Sequence, residues 1–346
     1  MIDFIIVGAG IAGISFAETL FNAGKSFVVI SDASQNSSLV AAGIYNPVIL
    51  KRLSLTQDAK EHLEYIKAFY ATIEQRLGVN FDFPVPIHRR FSGIEEQNSW
   101  FEAMDKPKLE PFLSPVLNHK HYPGLSAPFG FGKVFGTGYV DTQLLIHHYH
   151  AFLTSLNVLR TETFNYDNLV IGKDLISYKD VEASHIIFAE GFGLGANPYF
   201  NYLPLDGTKG ELLVIKAPDL QLNVAVNAGV FILPVGDSLF KVGATYEWDD
   251  KTAIPSEAGK AELIEKLNAI VTCDYEVVSH LAGVRPTVRD RKALVGTHHL
   301  HKNIHLLNGL GTRGVMLGPP LAAALYNSIE NKIPVKKDIN LNRFKI

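Results

Sequence analysis

Three glycines near the amino terminus are spaced to hold the diphosphate of a dinucleotide. Gly8, Gly10 and Gly13 form a G-x-G-x-x-G pattern between an apolar run that ends at Val7 and a helix-like segment. In a strand–turn–helix unit the first glycine permits the turn, the second admits the diphosphate, and the third allows close helix packing. The free amides at the start of the helix then face the negative charge. The sequence therefore predicts a dinucleotide-binding site here.

The position that normally binds the adenosine ribose carries no glutamate in this chain. In such folds an acidic residue about 20 residues after the glycines accepts a hydrogen bond from the ribose. Ser31 occupies that position, and Asp32 follows one place later. Both residues are candidates for the ribose contact. No arginine lies beside this strand end to bind a 2′-phosphate, so NADP is not favoured.

Two later segments carry groups that could act on a bound ligand. Residues 283–291 read GVRPTVRDR after an apolar strand, and residues 308–320 read NGLGTRGVMLGPP between a strand and a helix. Arginine binds a carboxylate through two parallel hydrogen bonds and stays charged. Amides at a helix start could stabilise negative charge on a ligand's ring. Arg285 and Arg313 are therefore candidates, with a structural salt bridge as the alternative for each.

Periodicity predicts the elements that position these residues. Helices are expected at residues 57–77, 141–156 and 256–271 and from the second glycine-rich turn to about 330. Strands are expected at 186–189, 275–284 and 304–308, with a hairpin formed by 230–235 and 239–244. Residues 106–139 are expected to be irregular. Nucleotide-binding α/β units thus lie at both chain ends, with a mainly antiparallel block between them.

Composition narrows the possible partners. The 346 residues are 47% hydrophobic and 19% charged, with a net charge of −3, which is typical of a globular protein of about two domains. There is no basic excess, so no nucleic-acid partner is expected. A single cysteine and the lack of a membrane-length apolar run favour a cytoplasmic protein. Histidines at 147–150 and 298–305 lack further ligands at zinc-site spacing, so no metal is expected.

Six motifs occur in an order that resembles a known family. They are GAGIAG at 8–13, VAAGI at 40–44, FAEG at 188–191, GAT at 243–245, GVRP at 283–286 and GTRGV at 311–315. Together they are similar to the FAD-dependent D-amino-acid oxidase superfamily, on its glycine-oxidase and amino-acid-dehydrogenase side. The resemblance covers nearly the whole chain.

The resemblance implies an α/β fold class with two interleaved domains. A discontinuous Rossmann-like FAD-binding domain would comprise residues 1–80, 140–200 and 295–346. An α+β substrate domain built on a mainly antiparallel sheet would comprise residues 81–139 and 201–294. FAD is the implied cofactor, bound between the two domains.

The resemblance also implies site residues. The cofactor would contact Gly8, Gly10, Ile11, Ala12, Gly13, Ser31 and Asp32, then Ser38, Ala42, Gly43 and Ile44 towards the flavin, Ala189 and Gly191 at the nucleotide half, and Gly311, Arg313, Gly314, Val315 and Met316 at the pyrimidine edge. Arg285 matches the arginine that pairs with the substrate carboxylate, and Arg313 matches a second active-site arginine. Tyr246 is expected to face the flavin, the alternative being a half-buried strand aromatic. Phe231 replaces a substrate-side tyrosine, which argues against glycine itself.

The function implied is oxidation of a CH–NH bond in a small amine or amino acid, with hydride transfer to FAD. One alternative is an FAD-dependent tRNA wobble-uridine modification oxidoreductase, which has a similar Gly-x-Arg-Gly turn. Against this alternative, no fused methyltransferase domain is expected, and the sequence shows no basic excess. The other alternative is a dinucleotide-binding protein without catalysis, because fold alone does not imply activity.

Overall fold

The helices of the computed structural model are mostly amphipathic and lie outside the sheets. The structure describes residues 1–32 and 34–344. No helix in those ranges combines the length and the apolar character needed to cross a membrane. The helices are α1 (Ile11–Asn22), α2 (Ser37–Val40), α3 (Ala59–Leu77), α4 (Ile94–Met104), α5 (Thr142–Ser155), α6 (Glu257–Asn268) and α7 (Gly314–Glu330).

Most of the strands belong to two large sheets. The strands are β1 (Ile2–Val7), β2 (Phe27–Ser31), β3 (Ile44–Tyr45), β4 (Val48–Ile49), β5 (Ser54–Leu55), β6 (Asp82–Pro84), β7 (Ile87–Arg90), β8 (Phe131–Val134), β9 (Gly138–Val140), β10 (Leu159–Thr161), β11 (Leu169–Ile171), β12 (Ile176–Tyr178), β13 (Val181–Phe188), β14 (Thr208–Lys216), β15 (Ala225–Asn227), β16 (Phe231–Gly236), β17 (Leu239–Gly243), β18 (Glu276–Arg285), β19 (Leu294–Thr297) and β20 (Ile304–Asn308).

The first sheet is parallel at its centre. Its order is β10-β2-β1-β13-β12-β11, and β20 pairs with both β13 and β19. β1 runs parallel to β2 and β13, and β13 runs parallel to β20. The central strands are buried and apolar because both faces of such a sheet are covered. The carboxyl ends of β1, β13 and β20 therefore meet at one edge, where ligands bind in folds of this kind.

The second sheet is antiparallel apart from one parallel pair, β15 with β7. Its order is β18-β14-β17-β16-β15-β7-β8. One face packs against α6, where Leu213, Val242 and Leu263 share an apolar cluster. On the other face, β18 packs against α2, since a Cβ added to Gly283 of β18 would lie 3.3 Å from the Cα of Ser37. Side chains alternate between these two faces along each strand.

The predicted elements agree with the structure where apolar residues recur with a clear helical or strand periodicity. The predicted hairpin is formed by β16 and β17, and the predicted helices end within a few residues of α3, α5, α6 and α7. The prediction of an irregular segment at 106–139 was wrong in part, because β8 and β9 lie within or across it. The α/β fold class is confirmed, while the domain boundaries stay a prediction.

Candidate functional site

The glycine turn after β1 is packed too closely for any side chain at two of its three glycines. Gly8 has a φ of +103°, and a Cβ there would lie 2.4 Å from the carbonyl oxygen of Ala189. A Cβ on Gly13 would lie 1.9 Å from the oxygen of Gly8. Gly10 precedes α1 and has no side chain to cap it. The turn therefore presents bare backbone and a helix start, which fits the diphosphate of FAD.

Two side chains from elsewhere in the chain hold this turn. The amide of Ile11 donates to Ser38 Oγ at 3.3 Å. His150 of α5 donates from Nε2 to the carbonyl oxygen of Ala9 at 2.8 Å. The sequence pattern considered His150 only as a possible metal ligand, because nothing in its spacing indicates a partner 141 residues away. The structure gives it a positioning role at the dinucleotide turn.

The two residues at the end of β2, Ser31 and Asp32, have partners of their own. The exposed carboxylate of Asp32 accepts a hydrogen bond from the amide of Ser34 at 2.9 Å. Ser31 lies opposite Thr161 of β10 in the sheet register. The ribose contact of Ser31 or Asp32 stays a prediction.

Residues 41–44 are fixed against the strand that precedes α5. Gly43 has a φ of +71°, and a Cβ there would lie 1.8 Å from the oxygen of Val140. Ile44 pairs with Tyr139 in an antiparallel bridge, and Thr142 Oγ1 donates to the oxygen of Ala41 at 3.2 Å. The predicted flavin-side segment is therefore held against β9, and Ala42 and Ile44 pack in one cluster with Leu233 of the second sheet.

The remaining predicted cofactor residues lie at the carboxyl edge of the first sheet. Ala189 donates from its amide to Val7 at 2.7 Å, and Asn308 Nδ2 donates to the oxygen of Gly191 at 2.9 Å. Beyond Asn308 the chain makes a one-turn 3₁₀ helix at Gly311–Arg313 and continues into α7. Gly314, Val315 and Met316 form the first turn of α7. The structure thus brings residues 189–191 and 311–316 together at the carboxyl edge of the first sheet.

A backbone hydrogen bond joins this edge to the second sheet. The amide of Gly311 donates to the oxygen of Pro286 at 3.1 Å. Pro286 directly follows β18, which ends at Arg285. The two segments that carry Arg285 and Arg313, 28 residues apart in the chain, therefore meet in space.

Arg285 is seated in a slot of the second sheet. A Cβ on Gly210 would lie 1.8 Å from its Nη2, so only glycine leaves room for the guanidinium. Nη1 donates to the oxygens of Lys209 and Thr245 at 3.3 and 3.2 Å. The ring of Tyr246 lies 4.6 Å from Cζ. Burial lowers the pKa of Arg285. The ordinary pKa of arginine is so far above neutral pH that the side chain nevertheless remains charged. No carboxylate of the described residues pairs with it.

Arg313 and Tyr246 lie in the same region. Burial lowers the pKa of the half-buried Arg313, the negative form of Tyr246 opposes that shift, and the charge of Arg291 adds to it. The Tyr246 side chain is 59% exposed, and β17 ends three residues before it. The alternative of a half-buried strand aromatic was therefore wrong. The structure thus brings Arg285 into contact with Tyr246, and the hydrogen bond from Gly311 to Pro286 brings the segment of Arg313 next to that of Arg285.

Sequence analysis missed Lys241, a buried lysine on the same sheet. Its neighbours Phe240 and Val242 belong to the cluster that faces α6, so Lys241 points to the opposite face of the second sheet. Its cross-strand partner Leu233 packs in one cluster with Ala42 and Ile44. The side chain is only 9% exposed. Burial lowers its pKa, and the charge of Asp141 partly counters this.

The Lys241 ammonium forms no side-chain hydrogen bond and no ion pair with any residue of the described ranges 1–32 and 34–344, although Asp141 is near enough to influence its charge. Lys209, on the adjacent strand, is also buried, but it pairs with Asp250 at 2.5 Å and Glu211 at 3.4 Å. A buried charge without a partner is unfavourable unless a ligand supplies the opposite charge. Lys241 is therefore a candidate to stabilise negative charge on a bound group.

Replacing Lys241 by methionine is expected to lower the reduction potential of bound FAD by about 30 mV or more. The methionine keeps the length of the side chain but removes a positive charge that stabilises the more negative, reduced cofactor. Redox titration of the purified holoenzyme measures the potential. Lys216→Met, an exposed position on β14, is the control and should leave the potential unchanged. A Lys241→Met potential equal to that of the wild type would contradict this role.

Comparison with known proteins gives one family for most of the chain. A family model described as "FAD dependent oxidoreductase" matches residues 3–327. The chain is 25% identical to glycine oxidase of Bacillus subtilis over 222 residues, which are 59% of this chain and 60% of that relative. It is 22% identical to the bifunctional tRNA 5-methylaminomethyl-2-thiouridine biosynthesis protein MnmC of Legionella pneumophila (strain Corby), over 84% of this chain and 45% of that protein.

A solved structure has the same fold along its whole length. The crystal structure of glycine oxidase from Geobacillus kaustophilus superposes with a TM-score of 0.80, covers 99% of each chain and is 17% identical. The chain spans about half the length of the two curated relatives named above.

Proposed function

Because this chain belongs to the family of FAD-dependent oxidoreductases, we propose that it oxidises the CH–NH bond of a small amine or amino acid that carries a carboxylate. FAD is its cofactor. The observation that carries the proposal is the seated guanidinium of Arg285, which has no carboxylate partner in the described part of the chain. It lies at the junction of the second sheet with the turn that begins α7. A guanidinium that is fixed in position and pairs with no carboxylate of the described residues is suited to bind a ligand carboxylate.

Arg285 would orient the substrate. Gly210 and the oxygens of Lys209 and Thr245 hold one edge of the guanidinium, and Tyr246 covers one of its faces. The remaining edge can donate two parallel hydrogen bonds to a carboxylate. A carboxylate fixed in this way limits the positions of the neighbouring carbon and nitrogen, which lowers the entropic cost of reaction.

When bound, FAD supplies the acceptor for a two-electron oxidation. Loss of two electrons and two protons, one from carbon and one from nitrogen, converts the amine to an imine, which water hydrolyses. Lys241, Arg313 and the amides at the start of α7 would stabilise the negative charge that develops opposite the substrate. No protein base is required if the amine binds in its neutral form.

The named relatives support two substrate classes. Both the Bacillus and the Geobacillus protein are glycine oxidases by name. The Legionella protein is named for tRNA modification, which supports a tRNA amine as the second candidate. Against tRNA, the segment with Tyr246 also exposes Glu247 and Asp249, and the chain carries a net charge of −3. A polyanion would be repelled there.

A substrate panel tests the proposal. The purified holoenzyme is mixed with glycine, N-methylglycine, D- and L-amino acids, simple amines and undermodified tRNA, and formation of carbonyl product is measured. We expect turnover with carboxylated small amines. Turnover of tRNA alone would favour the second candidate, and turnover only of amines without a carboxylate would contradict the role of Arg285.

A further inference from the structure

A buried pair of charged side chains lies on the far side of β14 from Arg285. Lys209 and Glu211 are only 1% and 2% exposed, and Lys209 Nζ lies 3.4 Å from Glu211 Oε1. Gly210, between them in the strand, faces the guanidinium of Arg285. Because side chains alternate along a strand, the two charged side chains point to the opposite face. There a Cβ added to Gly259 of α6 would lie 2.5 Å from Glu211 Oε2.

The chain that follows β17 is tied to β14 at three points. The amide of Glu211 donates to Thr245 Oγ1 at 2.9 Å. Glu247 and Lys209 exchange two backbone hydrogen bonds, of 2.9 and 3.0 Å. Asp250 Oδ2 lies 2.5 Å from Lys209 Nζ. The chain from Thr245 to Asp250 is therefore attached to β14 at its start, its middle and its end.

The same segment, residues 245–250, contacts Arg285. Nη1 of Arg285 donates to the carbonyl oxygens of Lys209 and Thr245 at 3.3 and 3.2 Å, and the ring of Tyr246 lies 4.6 Å from Cζ. The Tyr246 side chain is exposed, so the backbone that carries it, more than packing, decides where the ring lies. A shift of this segment would therefore move both the ring and one acceptor of the guanidinium.

The charge of Lys209 has a partner even without Asp250. Glu211 supplies an opposite charge and is itself fixed by the amide and the hydroxyl of Ser256, at 3.0 and 2.8 Å. Asp250 is 39% exposed and belongs to the segment after β17, not to β14. The main consequence of its ion pair with Lys209 is therefore to join that segment to the strand.

We propose that Lys209 and Asp250 are positioning residues for the substrate carboxylate. Their ion pair holds residues 245–250 so that Tyr246 covers one face of Arg285 and the guanidinium keeps its free edge towards the ligand. This inference rests on the proposed function and adds to it the residues that keep Arg285 oriented. A guanidinium that is already fixed binds a carboxylate more tightly, because less freedom is lost on binding.

Binding of a carboxylate without turnover tests the inference. Isothermal titration calorimetry of the oxidised holoenzyme compares propionate with propionamide, which has nearly the same shape but no charge. Asp250→Asn keeps an oxygen to accept from the amide of Thr252 at 2.7 Å and removes the charge that faces Lys209.

We expect Asp250→Asn to bind propionate about tenfold more weakly than the wild type does. This is less than the roughly 100-fold effect that a misplacement of about 1 Å can have, because the backbone hydrogen bonds of the segment remain. The affinity for propionamide should change by about twofold or less, because an amide forms no charge-assisted pair with Arg285.

Two further variants separate positioning from folding. Asp249→Asn removes the neighbouring, exposed charge and should bind propionate as the wild type does. Asp250→Glu keeps the charge and should restore most of the propionate affinity. The FAD content of each purified variant should equal that of the wild type.

The outcomes distinguish this inference from the proposed function. Propionate affinity in Asp250→Asn equal to that of the wild type overturns the inference and leaves the proposed function standing. Equal weakening of propionate and propionamide, or loss of FAD from the variant, overturns it as well, since the ion pair would then be only structural. A wild type that does not prefer propionate to propionamide refutes the role of Arg285 in the proposed function, and the inference is refuted with it.

Discussion

Replacing Arg285 by alanine is expected to raise the KM for a carboxylated amine by about 100-fold or more. The variant removes both donors to the carboxylate, and charge-assisted hydrogen bonds of this kind contribute roughly 3 kcal/mol as a pair. The loss is large because the slot beside Gly210 is lined by carbonyl oxygens, which repel a carboxylate once the guanidinium is gone. Steady-state kinetics with the best substrate of the panel measures the effect.

Two further variants distinguish carboxylate binding from a general loss of structure. Arg285→Lys keeps the charge but not the planar fork, so its KM should lie between those of the wild type and Arg285→Ala. Arg289→Ala removes an arginine that is 76% exposed and should leave KM unchanged. A KM for Arg285→Ala within about threefold of the wild type would remove Arg285 from the substrate site.

The Gly13→Ala variant is expected to lose FAD almost completely. The added Cβ would lie 1.9 Å from the oxygen of Gly8, so α1 must move away from β1 or the turn must change shape. Either movement displaces the amides that bind the diphosphate. The FAD content of the purified protein, released by denaturation and compared with protein concentration, measures the effect.

Gly10→Ala separates cofactor binding from folding. Its added Cβ would meet only the side chain of Ser38, at 3.0 Å, so the turn itself is not forced apart. The methyl group would instead occupy space that the diphosphate requires, so we expect a folded protein with much weaker FAD binding. Gly93→Ala, where nothing lies within 4 Å of an added Cβ, is the control. Full FAD content in both Gly10→Ala and Gly13→Ala would contradict the assignment of the turn.

The parts of the site that could be predicted from sequence depend on local pattern. The glycine turn is a short motif whose physical reason is local, so its position and its close packing were predictable. Arg285 and Arg313 were identified because each lies in a motif that resembles the family. That their segments meet in space, as the hydrogen bond from Gly311 to Pro286 shows, depends on the tertiary fold and not on local pattern.

The residues that could not be predicted from the sequence contact residues far from them in the chain. Gly210 makes room for a guanidinium 75 positions later, and His150 binds the carbonyl of Ala9. Lys241 lies in an alternating strand where a polar residue ordinarily faces solvent. Here that face is covered by the segment that contains Ala42 and Ile44, so the lysine is buried. Such effects require knowledge of which element covers which face.

Anaerobic titration of the oxidised holoenzyme with a carboxylated amine tests the central claim most directly. The account predicts that the visible absorption of FAD bleaches as substrate is added, and that one equivalent of imine-derived carbonyl product forms per flavin. Arg285→Ala should need a far higher substrate concentration for the same bleaching. The contradicting result is a flavin that dithionite reduces fully but that no amine or amino acid reduces.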